Sequence, residues 1–470
     1  MLGIMPSMPI FLGWCAALGA LGGGVPPLGA WGVGMLVTAG AIWSTALAFP
    51  RNFWAVGSAA LLLGALGGAA VVYRGAFPER PEGKIEGEGL VTAERPWGGR
   101  RAVLVTLPQG TFLAFSSPVT GLREGDRVAV TGTLEAFRRS PGGSFDAERY
   151  WRARGAKGEL RGASWTLLPP ERWSLAAVRS SLRKKILLTL PPLTRGYLLA
   201  ALVGVSDPDR AAVHRRAGTV HLLSVSGFHV GLVGLFGALI FRGRGRWVLS
   251  SVLIWVYVAL AGAPPSAVRS AVMAQGALLG WTLGRRGGIT NALAVAGGGM
   301  LLWNPWYFWD VGWRLSVLAT LALALLAESR LPHRVAGILA SPGAWIATAG
   351  ECAAVFGPVP LAGLAINLVA LPAFGVLFPV GILAGLPSLL ELPGGWVGAD
   401  FAEDCFVLWE GLSDALVRLF PGSVTDAWIP TGIGALALGT LGGRVLGLPP
   451  GRTLFLGAAT MAFWGMIKLI

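Results

Sequence analysis

The distribution of apolar and polar residues divides the chain into long apolar stretches and one polar region. Runs of this length and apolar character are typical of helices that cross a bilayer. Three such stretches come first, at roughly 8–24, 27–49 and 53–73. Charged residues then become frequent from Arg74 to Arg172, and apolar character returns from Trp173 onward. The pattern predicts transmembrane helices within 1–73, a polar domain over 74–172 and more membrane helices behind it.

The polar region carries the sequence signature of β-strands. Four segments alternate apolar and polar residues between Gly and Pro turns, namely GLVTAERP, RRAVLVTLP, GTFLAFSS and DRVAVTGTLEAF. Alternation with a period of two, bounded by turn residues, indicates strands. About five short strands in a region of this size predict a small β-barrel of the OB type. A small β-sandwich is the competing shape.

Helical patterns follow the polar region. SLAAVRSSLRKKILLTL predicts an amphipathic helix whose basic face is typical of a helix at a membrane surface, and 173–216 is therefore an amphipathic or re-entrant segment. Residues 217–470 are predicted to form the main transmembrane domain. Its candidate spans are 217–241, 247–262, 265–284, 288–304, 312–328, 342–357, 361–390 (as a broken helix), 425–441 and 453–469.

Composition supports this division. The chain is 54% hydrophobic and 13% charged, whereas soluble domains are about a quarter charged. The predicted fold is therefore a polytopic α-helical membrane protein with an inserted extracellular small β-barrel (OB-like) domain. The net charge of +14 has two explanations, cytoplasmic-loop bias or an anionic ligand such as nucleic acid or lipid headgroups.

Charge in the loops predicts the topology. The loops at 242–246, 285–288 and 329–335 are basic, whereas the intervening AGAPP and WNPWYFW turns carry no basic residue. Basic loops remain in the cytoplasm. The polar domain is therefore predicted to lie outside, with the aromatic WNPWYFW turn at the outer interface.

HLLSVSGFHVG places four polar side chains inside an apolar run. On one helix, His221, Ser224, Ser226 and His229 form a polar stripe, and Gly227 permits close approach. Polar groups in hydrocarbon are costly and normally face a bundle interior or a water-filled path. Three interpretations stay open: hydrogen bonds to neighbouring helices, the lining of a path for a charged substrate, or a rhomboid-like intramembrane serine peptidase. For the last, Ser224 stands where the nucleophile motif has glycine.

Two further motifs place charge near predicted helix starts. In AGAPPSAVRSAVM, Arg269 follows Pro265 and Ser266 inside a span, where it needs a carboxylate, carbonyls, an anionic ligand or snorkelling to the interface. In NPWYFWDVGWRLS, Asp310 and Arg314 are spaced for an i,i+4 ion pair, and Asp310 is also the nearest predicted carboxylate for Arg269. Alternatively, Arg314 faces the same aqueous interior as Arg269.

The end of the polar region mixes basic and aromatic residues. Such a mixture suits single-stranded nucleic acid, because phosphates meet cations and bases stack on rings. A solvated, salt-bridged surface is the alternative. The candidate DNA-binding residues are Phe145, Arg149, Tyr150, Trp151, Arg152, Arg154, Lys157 and Arg161.

The sequence lacks the motifs of several classes of enzyme and metal site. No GxxxxGK[ST] indicates an ATP-driven motor, and no HExxH or histidine cluster indicates a metal site. No carboxylate pair has a catalytic spacing. The sequence therefore predicts no cofactor, no metal and no enzymatic activity.

The three motifs, in this order and spacing, resemble the competence domain of the ComEC family, and GDRVAVTGTLEAF with PGGSFDAERYWRARG resembles its outer OB-type domain. Members are bacterial inner-membrane channels that pass single-stranded DNA into the cytoplasm during natural transformation. The resemblance implies that the signature positions are His221, Ser224, Ser226, Gly227, His229, Pro265, Ser266, Arg269, Leu315 and Ser316. Arg314 departs from it, since the family usually has glutamine there.

The resemblance also implies partners and a location. The expected partners are single-stranded DNA, membrane lipid, a separate DNA receptor and a cytoplasmic motor ATPase. A separate nuclease is expected as well, because the chain shows no sign of the C-terminal β-lactamase-like domain of many members. A homo-oligomer is left open. The expected location is the bacterial cytoplasmic (inner) membrane, multi-pass, with the β domain outside. A structural scaffold for an uptake machine is the remaining alternative.

Overall fold

A computed structural model describes residues 82–469, apart from 98, 117–120, 138–145, 170–173, 243–244, 283–287, 330, 446 and 448. The helices predicted within 1–73 and the candidate residue Phe145 lie outside the described residues. Two parts are visible in the rest, a β-barrel at the start and a helical domain behind it.

The polar region forms a closed five-stranded barrel with the order β1-β2-β3-β5-β4. All neighbouring strands are antiparallel except β3 and β5, and β4 closes the barrel against β1. The strands are β1 Gly83–Trp97, β2 Arg100–Leu107, β3 Gly110–Ser116, β4 Arg127–Glu135 and β5 Ala156–Leu167, with a short helix, α1 Ala147–Ala153, before β5. The predicted barrel is confirmed.

Burial along β2 shows how the sequence builds the barrel. Val103 and Val105 point into its interior, where they join Phe112 and Leu160 in one core. The alternate residues on the other face of the strand pack beneath Trp151 of α1. Both faces are therefore buried, which explains the uninterrupted apolar run AVLV.

The helical domain contains thirteen helices of at least seven residues within the described ranges. They are α2 Leu175–Thr189, α3 Pro192–Leu198, α4 Pro208–Ala217, α5 Gly227–Ile240, α6 Arg246–Leu260, α7 Pro265–Thr282, α8 Ile289–Trp303, α9 Val311–Glu328, α10 His333–Phe356, α11 Ala362–Leu389, α12 Gly395–Leu419, α13 Trp428–Val445 and α14 Pro450–Leu469. Shorter elements are a π-helical turn Leu199–Val203, the 3₁₀ turns Val220–Leu223 and Pro305–Trp309, and the two-stranded sheet β6 Val359–Pro360 with β7 Ser423–Val424. By length and composition, α9, α10 and α11 are able to cross a membrane.

Two expectations for the helices need correction. The span at 361–390 is one continuous helix, although it contains Pro372, Pro379 and Pro387. Its neighbours hold it along its length, since Phe374 and Phe378 are fully buried in the largest core cluster. Helix α12 was missed because carboxylates interrupt its apolar residues. One of them, Glu403, caps α3 by accepting hydrogen bonds from the N–H groups of Leu193 and Thr194 at 2.9 and 2.8 Å.

The barrel docks on the helical domain through α1 and the WNPWYFW turn. Arg154 forms an ion pair with Asp310 at 3.2 Å, and Asn304 Nδ2 donates to the carbonyls of Arg152 and Ala153 at 3.2 Å. Burial lowers the pKa of Arg154, against the opposing effects of Tyr150 and Asp310. The aromatic turn is therefore a docking surface for the barrel as well as a candidate for the outer interface.

Helix α2 is also part of this contact, because its basic face meets protein. Arg179 and Arg183 pair with the barrel residues Glu124 and Glu94, and Lys185 pairs with Glu391. Burial raises the pKa of Glu124, while the guanidinium of Arg179 lowers it. The predicted helix is confirmed at Leu175–Thr189, but three of its four basic residues bind carboxylates of this chain.

We predict that Arg154→Met lowers the stability of the protein by about 3 kcal/mol, because it leaves the carboxylate of Asp310 buried without a cation. The double variant Arg154→Met/Asp310→Asn should recover most of this loss, since asparagine keeps an acceptor for the N–H of Trp313. Thermal unfolding of the purified chain in detergent measures both. Arg127→Met is the control, because its pair with Glu88 is exposed and should cost less than about 1 kcal/mol. Equal losses in the single and double variants would contradict the prediction.

Candidate functional site

The first signature motif is not a single helix, so the predicted continuous polar stripe is wrong. Val220–Leu223 form a 3₁₀ turn, residues 224–226 are extended or irregular, and α5 begins at Gly227. His221 and His229 therefore belong to two different elements. Ser224 Oγ donates back to the carbonyl of His221 at 2.9 Å and closes the turn.

Ser226 and His229 form the start of α5. Nδ1 of His229 lies 3.3 Å from the backbone N of Ser226 and 3.2 Å from its hydroxyl. This is the geometry of a capping box with histidine at the third helical position. Since Nδ1 accepts from the N–H of Ser226, the proton of the neutral ring lies on Nε2. That nitrogen is buried and has no partner among the described residues, and the ring packs 4.7 Å from that of Phe378.

The irregular segment before α5 carries exposed polar side chains. His221 and Ser224 are exposed on the protein, whereas His229 is buried. The two polar residues before the helix are therefore accessible to a ligand, and the histidine of the cap is not.

The second motif holds the first in place. Pro265 begins α7, and Ser266 Oγ donates to the carbonyl of Val225 at 2.7 Å. One turn further, Ser270 fills the space beside Gly227, where a Cβ atom would lie 2.7 Å from its hydroxyl. Arg269 lies between these residues and is only 4% exposed. Helices α5 and α7 therefore approach each other closely at Gly227, because that residue lacks a side chain.

The third motif meets Arg269 through Ser316 rather than through Asp310. The Nε of Arg269 donates to Ser316 Oγ at 3.0 Å, while Asp310 pairs with Arg154 and caps α9. Asp310 therefore forms neither the ion pair with Arg314 that its spacing allowed nor a pair with Arg269, for which it was the nearest candidate carboxylate. Arg314 instead pairs with Glu351 of α10 at 2.6 Å, so its charge is compensated away from Arg269.

The basic residues of the barrel are mostly engaged within the protein. Trp151 and Arg152 are 1% and 5% exposed, so they are not available to contact a strand in this arrangement. Arg149 pairs with Asp146 and lies over the ring of Trp309. Arg161 pairs with Glu135 and Glu159. DNA binding by the less buried members, Arg149, Tyr150, Arg154, Lys157 and Arg161, stays a prediction.

Sequence reasoning missed a polar network under α4. His214 connects α3 to the start of the first motif, with Nε2 2.7 Å from Tyr197 Oη and Nδ1 2.8 Å from Thr219 Oγ1. Arg210 binds both carboxylate oxygens of Glu410 on α12 at 2.7–2.8 Å. The signal was the polar string DRAAVHRRAG, whose other face carries exposed Arg215 and Arg216. The network anchors α4 immediately before the irregular segment.

Comparison with known proteins agrees with this geometry. The family model described as Competence protein matches residues 201–447. ComE operon protein 3 of Bacillus subtilis (strain 168) is 34% identical over 161 residues, which is 31% of this chain and 20% of that relative. The chain thus matches about a fifth of the length of the curated relative. No solved structure matches.

Residues 201–447 therefore form a competence-class helical domain, and all three motifs lie within it. The chain belongs to the ComEC family of competence proteins. Three of the described helices are long and apolar enough to cross a membrane, which suggests a membrane protein.

We predict that Gly227→Ala destabilises the protein by about 1–3 kcal/mol, because the new methyl group would overlap the hydroxyl of Ser270. Gly227→Ala/Ser270→Gly should restore part of the loss. Gly231→Ala is the matched control one turn along the same helix, where no atom lies within 4 Å of the added Cβ, and it should be neutral or slightly stabilising. Thermal unfolding in detergent compares them, and equal destabilisation by both alanines would contradict the packing argument.

Proposed function

We propose that this protein is an inner-membrane channel that passes single-stranded DNA into the cytoplasm during natural transformation, with the barrel on the outer side. The observation that carries the proposal is the interruption of helix at residues 219–226, with exposed His221 and Ser224, inside an apolar helical domain. Non-helical backbone within a membrane is tolerated only beside protein or a water-filled cavity. Exposed polar groups on such a segment suit the path of a polyanion.

Charge supports the same proposal. On the outer face of α4, Arg215 and Arg216 are exposed, and they lie within a few residues of His221. Exposed positive side chains attract phosphates and raise the local concentration of a strand. A separate receptor, a motor ATPase and a nuclease belong to the proposal as partners.

An intramembrane serine peptidase is the second candidate, because Ser226 Oγ lies 3.2 Å from His229 Nδ1. A catalytic base is normally oriented by a third group. Here Nε2 of His229 has no such partner among the described residues, and Nδ1 is turned to a backbone N–H. The geometry therefore favours a helix cap over a nucleophile.

We predict that Ser224→Asp reduces DNA uptake at least about tenfold, whereas Ser224→Lys retains most of it. Two like charges about 4 Å apart repel by about 4 kcal/mol at an effective dielectric constant of 20, so only the aspartate opposes passing phosphates. The assay is the protection of labelled DNA inside transformable cells in which this chain replaces their own family member. His333→Asp, on an exposed residue at the start of α10, is the control.

Similar losses from both Ser224 variants would indicate a structural role and contradict the channel proposal. Unchanged uptake in both, with normal protein levels, would favour the scaffold interpretation. Labelling of Ser226 by a fluorophosphonate, abolished in Ser226→Ala, would favour the peptidase.

The topology has its own test. We predict that an impermeant maleimide added to intact cells labels Lys84→Cys in the barrel and does not label Arg334→Cys before α10, in a background without Cys15, Cys352 and Cys405. Both positions are exposed on the protein, so membrane sidedness decides the result. Permeabilised cells should label both. The reverse pattern in intact cells would place the barrel inside.

A further inference from the structure

Arg269 is a buried cation whose charge nothing in the described part of the chain neutralises. Its guanidinium contacts only neutral groups, Ser316 Oγ at 3.0 Å, Met273 Sδ at 2.9 Å and Ser270 Oγ at 3.1 Å. A buried charge without a counter-charge costs several kcal/mol. The carboxylate that the sequence offers, Asp310, is used by Arg154. Arg269 therefore has no counter-ion among the described residues.

The unused hydrogen-bond donors of Arg269 point to what completes it. A guanidinium has five N–H groups, and the three contacts above leave one on Nη1 and one on Nη2 without an acceptor among the described residues. Ser316 accepts from Nε, so its own hydroxyl proton is also available. An anion with several oxygen atoms would accept from all of these donors and neutralise the charge of Arg269.

The start of α5 adds positive potential at the same place. A Cβ atom at Gly227 would lie 3.8 Å from Nη2 of Arg269, so the N-terminus of this fourteen-residue helix adjoins the guanidinium. Helix N-termini carry partial positive charge and exposed N–H groups that bind phosphate.

We propose that Arg269, Ser316 and the start of α5 at Gly227 form a binding site for one phosphate group. Two parallel N–H donors of a guanidinium match two oxygens of a phosphate. The occupant is a phosphodiester of the transported strand or, in its absence, inorganic phosphate. The strand as occupant rests on the proposed function, whereas the phosphate site itself does not.

The test is thermal unfolding of the purified full chain in detergent, with inorganic phosphate titrated against chloride at constant ionic strength. The midpoint of the wild-type protein should rise with phosphate and follow a binding curve, because a ligand that binds the folded state stabilises it. Arg269→Met should abolish the rise. Arg269→Lys should retain it with weaker affinity, since lysine keeps the charge without the fork, and Ser316→Ala should reduce it.

Ser250→Ala is the matched control, because this buried serine on α6 has a hydroxyl without a partner among the described residues, and it should retain the full rise. A wild-type protein without a phosphate-dependent rise overturns the site, as does an equal rise in Arg269→Met. If Arg269→Met fails to fold, Arg269→Lys and Ser316→Ala with wild-type phosphate affinity overturn it as well.

A thymidine dinucleotide distinguishes the two sources of phosphate. Displacement of radiolabelled inorganic phosphate by the dinucleotide supports the strand as occupant. Phosphate binding that depends on Arg269, without displacement, supports a site for free phosphate and counts against the strand path. Loss of the phosphate site with normal charge dependence at Ser224 would overturn this inference and leave the channel proposal standing.

Discussion

The position of the barrel and of the three motifs depends on one guanidinium, that of Arg179. It donates to the carbonyl of Leu260 at 2.7 Å and to that of Val203 at 2.9 Å, and it pairs with Glu124 of the barrel. The two carbonyls lie at helix C-termini, where backbone acceptors lack partners within the helix. A single side chain thereby satisfies three otherwise costly groups on three separate parts of the chain.

The same guanidinium explains the glycine in the AGAPP turn. Gly262 has a φ of +84°, and a Cβ atom there would lie 2.6 Å from Nη2 of Arg179. Glycine is therefore required both for the backbone conformation and for space. The turn leads directly into α7, so the direction in which Arg269 enters the domain is set by how Arg179 packs against this corner.

The spacing of apolar residues predicted most elements of the fold, because buried positions recur at regular intervals along strands and apolar helices. The four strands recognised by alternation are confirmed as β1–β4, whereas β5 was hidden in the segment interpreted as basic and aromatic. Helix α12 was missed for a related reason, since Glu403 and Glu410 serve as partners for other helices rather than facing solvent. Whether a charged residue is paired within the chain is a tertiary property that spacing does not reveal.

The motifs were located correctly along the chain, but their contacts were not predicted. Asp310 was spaced for an ion pair with Arg314 and was the nearest candidate carboxylate for Arg269 on the predicted outer side. The structure gives it Arg154 instead, because docking of the barrel brings together residues far apart in the chain. The break in helix before Ser226 was equally hidden, since residues 220–225 contain no glycine or proline. The local signals of a cap are Ser226 itself and the histidine three residues after it.

The small sheet between β6 and β7 has a consequence for the route of the chain. The N–H of Leu361 donates to the carbonyl of Gly422 at 3.0 Å, and the two strands pair on either side of the α11–α12 hairpin. The two ends of the hairpin are therefore held together by this sheet. An insertion or deletion at its far tip, near residues 392–394, would change the length of the hairpin without moving the point at which the chain returns to the domain.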